Sequence, residues 1–308
     1  MAAAERTPGT KWAYICALDG DDLVAGMPLS YRKYEPTRAF TPEHLAGGLG
    51  VDPGRWALAG ARMAARNSVA VVAAAEAGAV RRRLLAEANS VARQWGLDGV
   101  VLPYVPAEHV GAWAELEPYS SAVAADEAVI SLPCGDEEDY LAMLTVNRAR
   151  SVRREQREFD AAGYRITRVP ADPASASELA PMLAEVERKY GGNGSLGGLT
   201  KVVAHSLAAC AGSGHVLLSH DPAGNLSMCA LMYRFGDSLY ARFVGRRPDS
   251  ESGPFEYFNV LFYEPIRWAL KEGIDRYFLG QGSIAAKSSR GASRQELSHL
   301  LWRCGQDE

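Results

Sequence analysis

The sequence predicts an α+β protein, on three observations. Short apolar runs follow one another in hairpin order, as where the turn tetrapeptide Asp19–Asp22 separates Ala13–Leu18 from Val24–Leu29. Helical periodicity interrupts these runs at irregular intervals instead of alternating with them one for one. The last helical pattern then leads straight into a buried strand and a glycine-flanked loop. Antiparallel strands that meet one late helix and a following strand make a mixed, mostly antiparallel sheet flanked by helices.

In order, Tyr31–Tyr34 reads as a Pro-bounded loop, and Trp56–Ala61 and Ser68–Ala74 as strands around Arg66 and Asn67. Ala79–Trp95 predicts a helix, with Val80, Leu84, Leu85, Ala88, Val91 and Trp95 on one face. Val100–Val105 is a buried strand, Ala107–Leu116 a short helix, and Ala122–Ala125 and Ala128–Leu132 two more strands. A second part begins near Pro133. Asp136–Ala162 reads as one long helix stopped by Gly163, followed by a strand Tyr164–Val169. A linker and a helix to about Tyr190 come next, then the loop Gly191–Gly198 and a helix Thr200–Ala211. Three strands joined by tight turns follow: His215–Ser219, Ser227–Phe235 and Ser238–Val244. In the stretch Gly253–Gly291, Phe255, Phe258, Leu261, Phe262, Pro265 and Trp268 recur at helical spacing, and Pro254 suits a first turn. Gly273 stops that helix, Tyr277–Leu279 is a strand core, and the next loop carries Lys287 and Arg290. Leu297–Cys304 is a last strand.

At 308 residues and 47% hydrophobic content the chain can fill two ordinary cores. A net charge of −4 gives no overall basic excess, so DNA is not an expected partner, although a local basic patch stays open. Five cysteines, Cys16, Cys134, Cys210, Cys229 and Cys304, form no CxxC pair. They read as thiols of a reducing cytoplasm, without disulfide framework or zinc site. The start MAAAERTPGTKW has no signal-peptide pattern, and no run of about 18 apolar residues exists. The expectation is a cytoplasmic protein with no membrane partner.

Three constellations could carry chemistry. Arg148, Arg150, Arg153, Arg154 and Arg157 place guanidiniums along one helix, with Arg150, Arg153/Arg154 and Arg157 on one side. Guanidinium forks suit phosphates; the same pattern is also that of a solvated face paired with Glu155 and Glu158. Lys287 with Arg290 could polarise an acyl carbonyl or hold an oxyanion. Glu256, Tyr257 and Asn259 open the late helix near Arg242, Arg246 and Arg247, where a ligand could meet a helix start. Asp275 and Gln281 flank the strand between that helix and the cation-bearing loop. The six histidines show no metal-ligand spacing, so no metal is expected. GxSxG, a P-loop and a post-strand GxGxxG are all missing, which disfavours serine hydrolase, P-loop and dinucleotide enzymes.

The segments DYLAMLTVNRARSVRREQREFDAAGY (Asp139–Tyr164), LYARFVG (Leu239–Gly245) and YFNVLFYEPIRWALKEGIDRYFLGQGSIAAKSSRG (Tyr257–Gly291) resemble the Fem-like branch of the GNAT acyltransferases. The match covers most of Ala128–Cys304. The resemblance implies tandem GNAT domains, residues 1–130 on the acceptor side and 131–308 on the donor side with the catalytic loop. It implies amide-bond formation between an aminoacyl group from aminoacyl-tRNA and an amine of a small molecule, a secondary metabolite or cell-wall precursor. No permanently bound cofactor is implied. Lys287 matches the lysine that in such enzymes contacts the ester carbonyl region. The arginine stripe would hold the tRNA 3′ end, and Arg246, Arg247 and Arg290 join it as donor or phosphate contacts. Glu256 and Asp275 are candidate bases, although an activated ester needs no strong one. An acyl-CoA-dependent N-acyltransferase is the alternative donor reading. Against it, the place of the usual R/Q-x-x-G-x-G/A turn reads GRRPDSESGPF (Gly245–Phe255). A GNAT fold that only binds is the third reading.

Overall fold

The computed structural model describes residues 9–35, 37–61, 66–67, 69–71, 77–132, 135–189, 195–248 and 253–305. Its strands are β1 (Thr10–Asp19), β2 (Asp22–Arg32), β3 (Trp56–Ala59), β4 (Ala70–Val71), β5 (Gly99–Pro106), β6 (Ser120–Ser131), β7 (Arg165–Pro170), β8 (Gly214–His220), β9 (Leu226–Phe235), β10 (Ser238–Arg246), β11 (Arg276–Gln281) and β12 (Ser293–Arg303). Two compact units result. One extends to Glu127 and takes in the chain again from Gln295; the other spans Ala128–Arg294. The sequence expectation divides the chain after residue 130 and leaves the last strand in the second part.

In the first unit the strand order is β1-β2-β3-β5-β12, with β4 beside β2. The DGDD turn closes the β1–β2 hairpin, where Asp19 faces Asp22. β3 and β5 are parallel over three pairs, Trp56–Leu58 against Gly99–Val101. The helix Ala77–Gln94 buries Leu84, Leu85 and Ala88 of the expected face, and Ala92 besides, while Val80, Val91 and Trp95 pack half-buried against the same core. A helix absent from the sequence reading runs Pro42–Leu49. Its signals are plain in retrospect: Thr41 caps it by accepting from His44 N–H, and Pro42 occupies the first turn. The two strands expected over Ala122–Ala125 and Ala128–Leu132 are one, β6, which ends at Ser131.

In the second unit the order is β11-β10-β9-β8-β7, antiparallel except for β10–β11. The expected single helix Asp136–Ala162 is two, Glu137–Ala142 and Val146–Ala161. Asp136 and Thr145 each cap one, Thr145 accepting from Arg148 N–H, so the chain restarts its helix at residue 145. The helices Ala176–Lys189 and Leu196–Ala209 follow, the latter capped by Ser195. The first part of the expected glycine-rich loop, residues 191–194, lies outside the described residues, as does Cys134.

The late helix is a composite: Glu256–Phe258, a π turn Asn259–Tyr263, then Glu264–Lys271. Pro265 has no N–H for the carbonyl of Leu261, four residues back. The Tyr277 hydroxyl donates to that carbonyl instead, at 2.7 Å, so the irregular turn is pinned to β11. Val260, Phe262, Tyr263, Ile266 and Ala269 are buried against Met228, Ala230, Met232, Leu239 and Tyr277. Among the described residues no helix is long and apolar enough to cross a membrane.

Candidate active site

The second unit opens where β10 and β11 part. They pair in parallel only from Ser238–Tyr240 to Arg276–Phe278, while β10 runs on to Arg246 and β11 to Gln281. The β10 register shifts between Ala241 and Phe243, a bulge centred on exposed Arg242. The composite helix connects the two strands, so its start lies by sequence after the β10 end.

On the β11 side, Gly280 and Gly282 have φ of 71° and 75°, and Ser283 has 49°. A positive φ breaks the alternation by which carbonyls of an extended strand point to opposite sides. The carbonyls of Leu279, Gly280 and Gln281 therefore converge. Lys287, on the short helix Ile284–Ser288, sends its ammonium among them at 2.9, 3.0 and 2.9 Å. All three of its N–H donors are engaged. The side chain is 4% exposed, and burial pushes its pKa down to about 8. The sequence places Lys287 at a buried edge on a glycine-flanked loop; the structure puts it on a short helix, as a buried charge that holds the strand end.

Arg290 is not a free cation. It is 3% exposed, and its Nη2 donates to Glu155 Oε2 at 3.0 Å while Nε donates to the Tyr263 hydroxyl at 3.1 Å. Its guanidinium lies 3.3 Å from the Phe258 ring centroid. Tyr263 in turn donates to Glu155, and Arg148 approaches the other carboxylate oxygen at 3.8 Å. Burial first, and the Glu155 contact second, raise the Tyr263 pKa. This network anchors the loop end to the helix Val146–Ala161. Nothing in the sequence flags Glu155 as buried except its place on the face of Ala149, Val152 and Phe159.

The arginine stripe divides accordingly. Arg148 faces inward to Glu155, whereas Arg150, Arg153, Arg154 and Arg157 are exposed. Arg153 pairs with Glu138, and Arg154 with Glu158 at 3.6 Å. Arg150 and Arg157 have no ion-pair partner among the described residues.

Glu256 is 1% exposed and accepts from the Ser219 and Ser227 hydroxyls and from Gly253 N–H. It ties the helix start to β8 and β9 with its carboxylate fully engaged. Asn259, also buried, donates to the Phe255 carbonyl at 3.1 Å. Tyr257 is exposed and packs edge-on against Phe258 and Phe262. Arg246 ends β10, and Arg247 follows it, its N–H donating to Ser227 O. Gln281 offers its carbonyl to Lys287. Asp275 is exposed just before β11, at the opposite end of that strand from Gln281, roughly 20 Å along an extended chain. The structure does not bring Asp275 to Lys287.

Among solved structures, the chain is similar to FemX at 10% identity, with 96% of this chain and 88% of that one covered and a TM-score of 0.63. L-PGS from Bacillus licheniformis matches at 11% identity over 96% and 85%, with a TM-score of 0.60. A tandem GNAT protein from the clavulanic acid biosynthesis pathway matches at 12% over 98% and 85%, with a TM-score of 0.50. These likenesses establish the tandem GNAT fold. No curated protein sequence matches. The profile of the FemAB-like family, described as peptidoglycan biosynthesis/recognition, matches residues 59–303. The chain therefore belongs to the FemAB-like family, on a GNAT fold.

Proposed function

We propose that this chain transfers an aminoacyl group from aminoacyl-tRNA to the amine of a small-molecule acceptor. The acceptor is a cell-wall precursor or a secondary metabolite. The observation that carries the reading is the buried Lys287 ammonium at the end of β11, beside the point where β10 and β11 separate, in a FemAB-like chain. The acceptor nitrogen attacks the ester carbonyl and a C–N bond forms. The ester C–O bond then breaks, and the proton lost by the amine goes to the departing ribose oxygen. Negative charge gathers on the carbonyl oxygen between these events. Lys287 exchanges one of its three backbone partners for that oxygen, and the other two keep it in place. Arg150 and Arg157 meet donor phosphates. Glu256 is committed to two hydroxyls and an amide, so it takes no proton; the ester is activated enough to react without a dedicated base.

The test uses purified protein with charged tRNA, candidate amines and, in parallel, acyl-CoA. Product formation that disappears with ribonuclease supports the proposal. Product that survives ribonuclease and needs acyl-CoA transfers the chain to the alternative donor. Lys287→Met should lower kcat by about 100- to 1,000-fold with the fold retained. Only the protonated lysine can hold an oxyanion, and its pKa is lowered to about 8. Turnover should therefore fall as pH rises through about 8, and that limb should be missing from Lys287→Met. Unchanged turnover in this variant would remove the lysine from the mechanism.

A further inference from the structure

We infer that the first unit carries a separate ligand site, a cleft that takes a short zwitterionic peptide. The cleft has a volume of about 700 Å³ and lies between the helix Ala77–Gln94, the turn after the helix Ala107–Ala114, and the end of β12. Clefts of about 300–1,000 Å³ suit ligands larger than a single amino acid. Its floor is apolar and fixed: Trp302 is 6% exposed, its indole N–H donates to Leu116 O at 3.0 Å, and its ring meets Trp113 edge-on.

The walls are charged and sorted by sign. Arg82 on the helix and Arg303 on the strand supply the cations, and Glu115 and Glu117 on the turn supply the anions. All four are exposed, and none is in an ion pair among the described residues. Long charged side chains that share one concavity and yet stay apart leave both signs available to a guest. Arg303 is held for this: its guanidinium stacks 3.7 Å from the Tyr119 ring centroid. Glu117 has a φ of 50°, a left-handed conformation that few non-glycine residues adopt, and its N–H donates to Ala114 O at 3.0 Å. A guest with an ammonium at one end and a carboxylate at the other satisfies both walls, while apolar side chains cover Trp302 and Leu116. A phosphate backbone would meet two carboxylates, and a cation two guanidiniums.

The cleft is distinct from the place where β3 and β5 part. Arg303 faces Gly99 at the start of β5, and the parallel pairing ends later, at Val101. None of its residues belongs to the second unit, so the inference does not rest on the proposed transfer.

Calorimetric titration of the full chain with L-leucyl-L-leucine, its N-acetylated form and its C-terminal amide decides the matter. The free dipeptide should bind saturably, and blocking either end should weaken binding at least about tenfold. Arg303→Gln should weaken the free dipeptide about tenfold and abolish the penalty for amidation. Glu117→Gln should abolish the penalty for acetylation. Lys287→Met should leave binding unchanged. No heat up to about 10 mM dipeptide, equal binding of the blocked forms, or indifference to both cleft substitutions at unchanged Tm would each overturn the site.

Discussion

Among the described residues each unit contains a parallel strand pair of three residues, followed by a parting of the strands, and the two partings are finished differently. In the first unit, Asn67 closes the gap. Its Oδ1 accepts from Ala61 N–H at 3.0 Å, its Nδ2 donates to Ala59 O at 3.2 Å, and its own N–H donates to Tyr104 O at 2.9 Å. It thus bridges the chain beyond β3 to β5. Gly60, with φ 83°, makes the room, since a Cβ there would collide with the Asn67 amide. Tyr104 sits at φ 56°, and its N–H donates to Nδ1 of the fully buried His299. That bond requires a neutral imidazole, and burial pushes the His299 pKa down to about 4. In the second unit no such amide spans the strands among the described residues. The carbonyls at the β11 end go to Lys287, a charge that comes from the loop beyond. A neutral amide that satisfies both strands closes a backbone gap for good. A cation that serves one strand leaves the other side available for a guest.

The largest expected effect tests how firmly the charged side is built. Glu155→Ala leaves Arg290 buried without its carboxylate, and loss of one partner of a buried pair costs about 3–5 kcal/mol. Urea unfolding should show that loss as a lower midpoint. Arg290→Leu in the same background should recover part of it, because the orphaned charge is then gone. A loss below about 1 kcal/mol would mean that the network is no more than a surface pair, and the contrast between the units would weaken.

Asn67→Ala comes next. It strands the half-buried Ala61 N–H and the buried Ala59 carbonyl in the first unit, at a cost of about 1–3 kcal/mol. Turnover per folded molecule should not change, because this gap is closed rather than used. Denaturant unfolding and steady-state kinetics on the same preparation separate the two quantities. A large fall in kcat at retained fold would show that the first parting takes part in the reaction and would break the comparison.

How much of this could be read in the sequence depends on range. Local chemistry was legible: DGDD marks the first hairpin, helical spacing over Ala79–Trp95 marks the helix Ala77–Gln94, and the β8–β9–β10 antiparallel run follows from its turns. The family resemblance on Asp139–Tyr164 and Tyr257–Gly291 agrees with the family match over residues 59–303. Sequence reasoning passed over the helix Pro42–Leu49 and the restart at Thr145, where one hydroxyl cap outweighs an otherwise continuous apolar period. The site was legible as residue types and not as states. Lys287 and Arg290 were visible as two cations after a buried strand. That one is spent on three carbonyls and the other on Glu155 depends on a positive φ at Gly280 and on a partner 135 residues away. Periodicity reports which face a residue takes, and it carries no information about which distant charge will share that face.

The smallest expected effect concerns the exposed half of the arginine stripe. Arg157 has no ion pair among the described residues, so its removal should cost little stability. If it meets a donor phosphate, Arg157→Ala should flatten the plot of log donor affinity against log salt by about 0.7–0.9. Affinity itself should fall modestly, and by less as salt rises, because the lost contact is the salt-dependent one. Arg83→Ala, on the exposed face of a first-unit helix, is the matched control and should leave the slope alone. Equal slopes for both variants would mean that the second unit's stripe is only a solvated face, like its counterpart. The donor would then have to be held elsewhere, and the asymmetry between the units would rest on Lys287 alone.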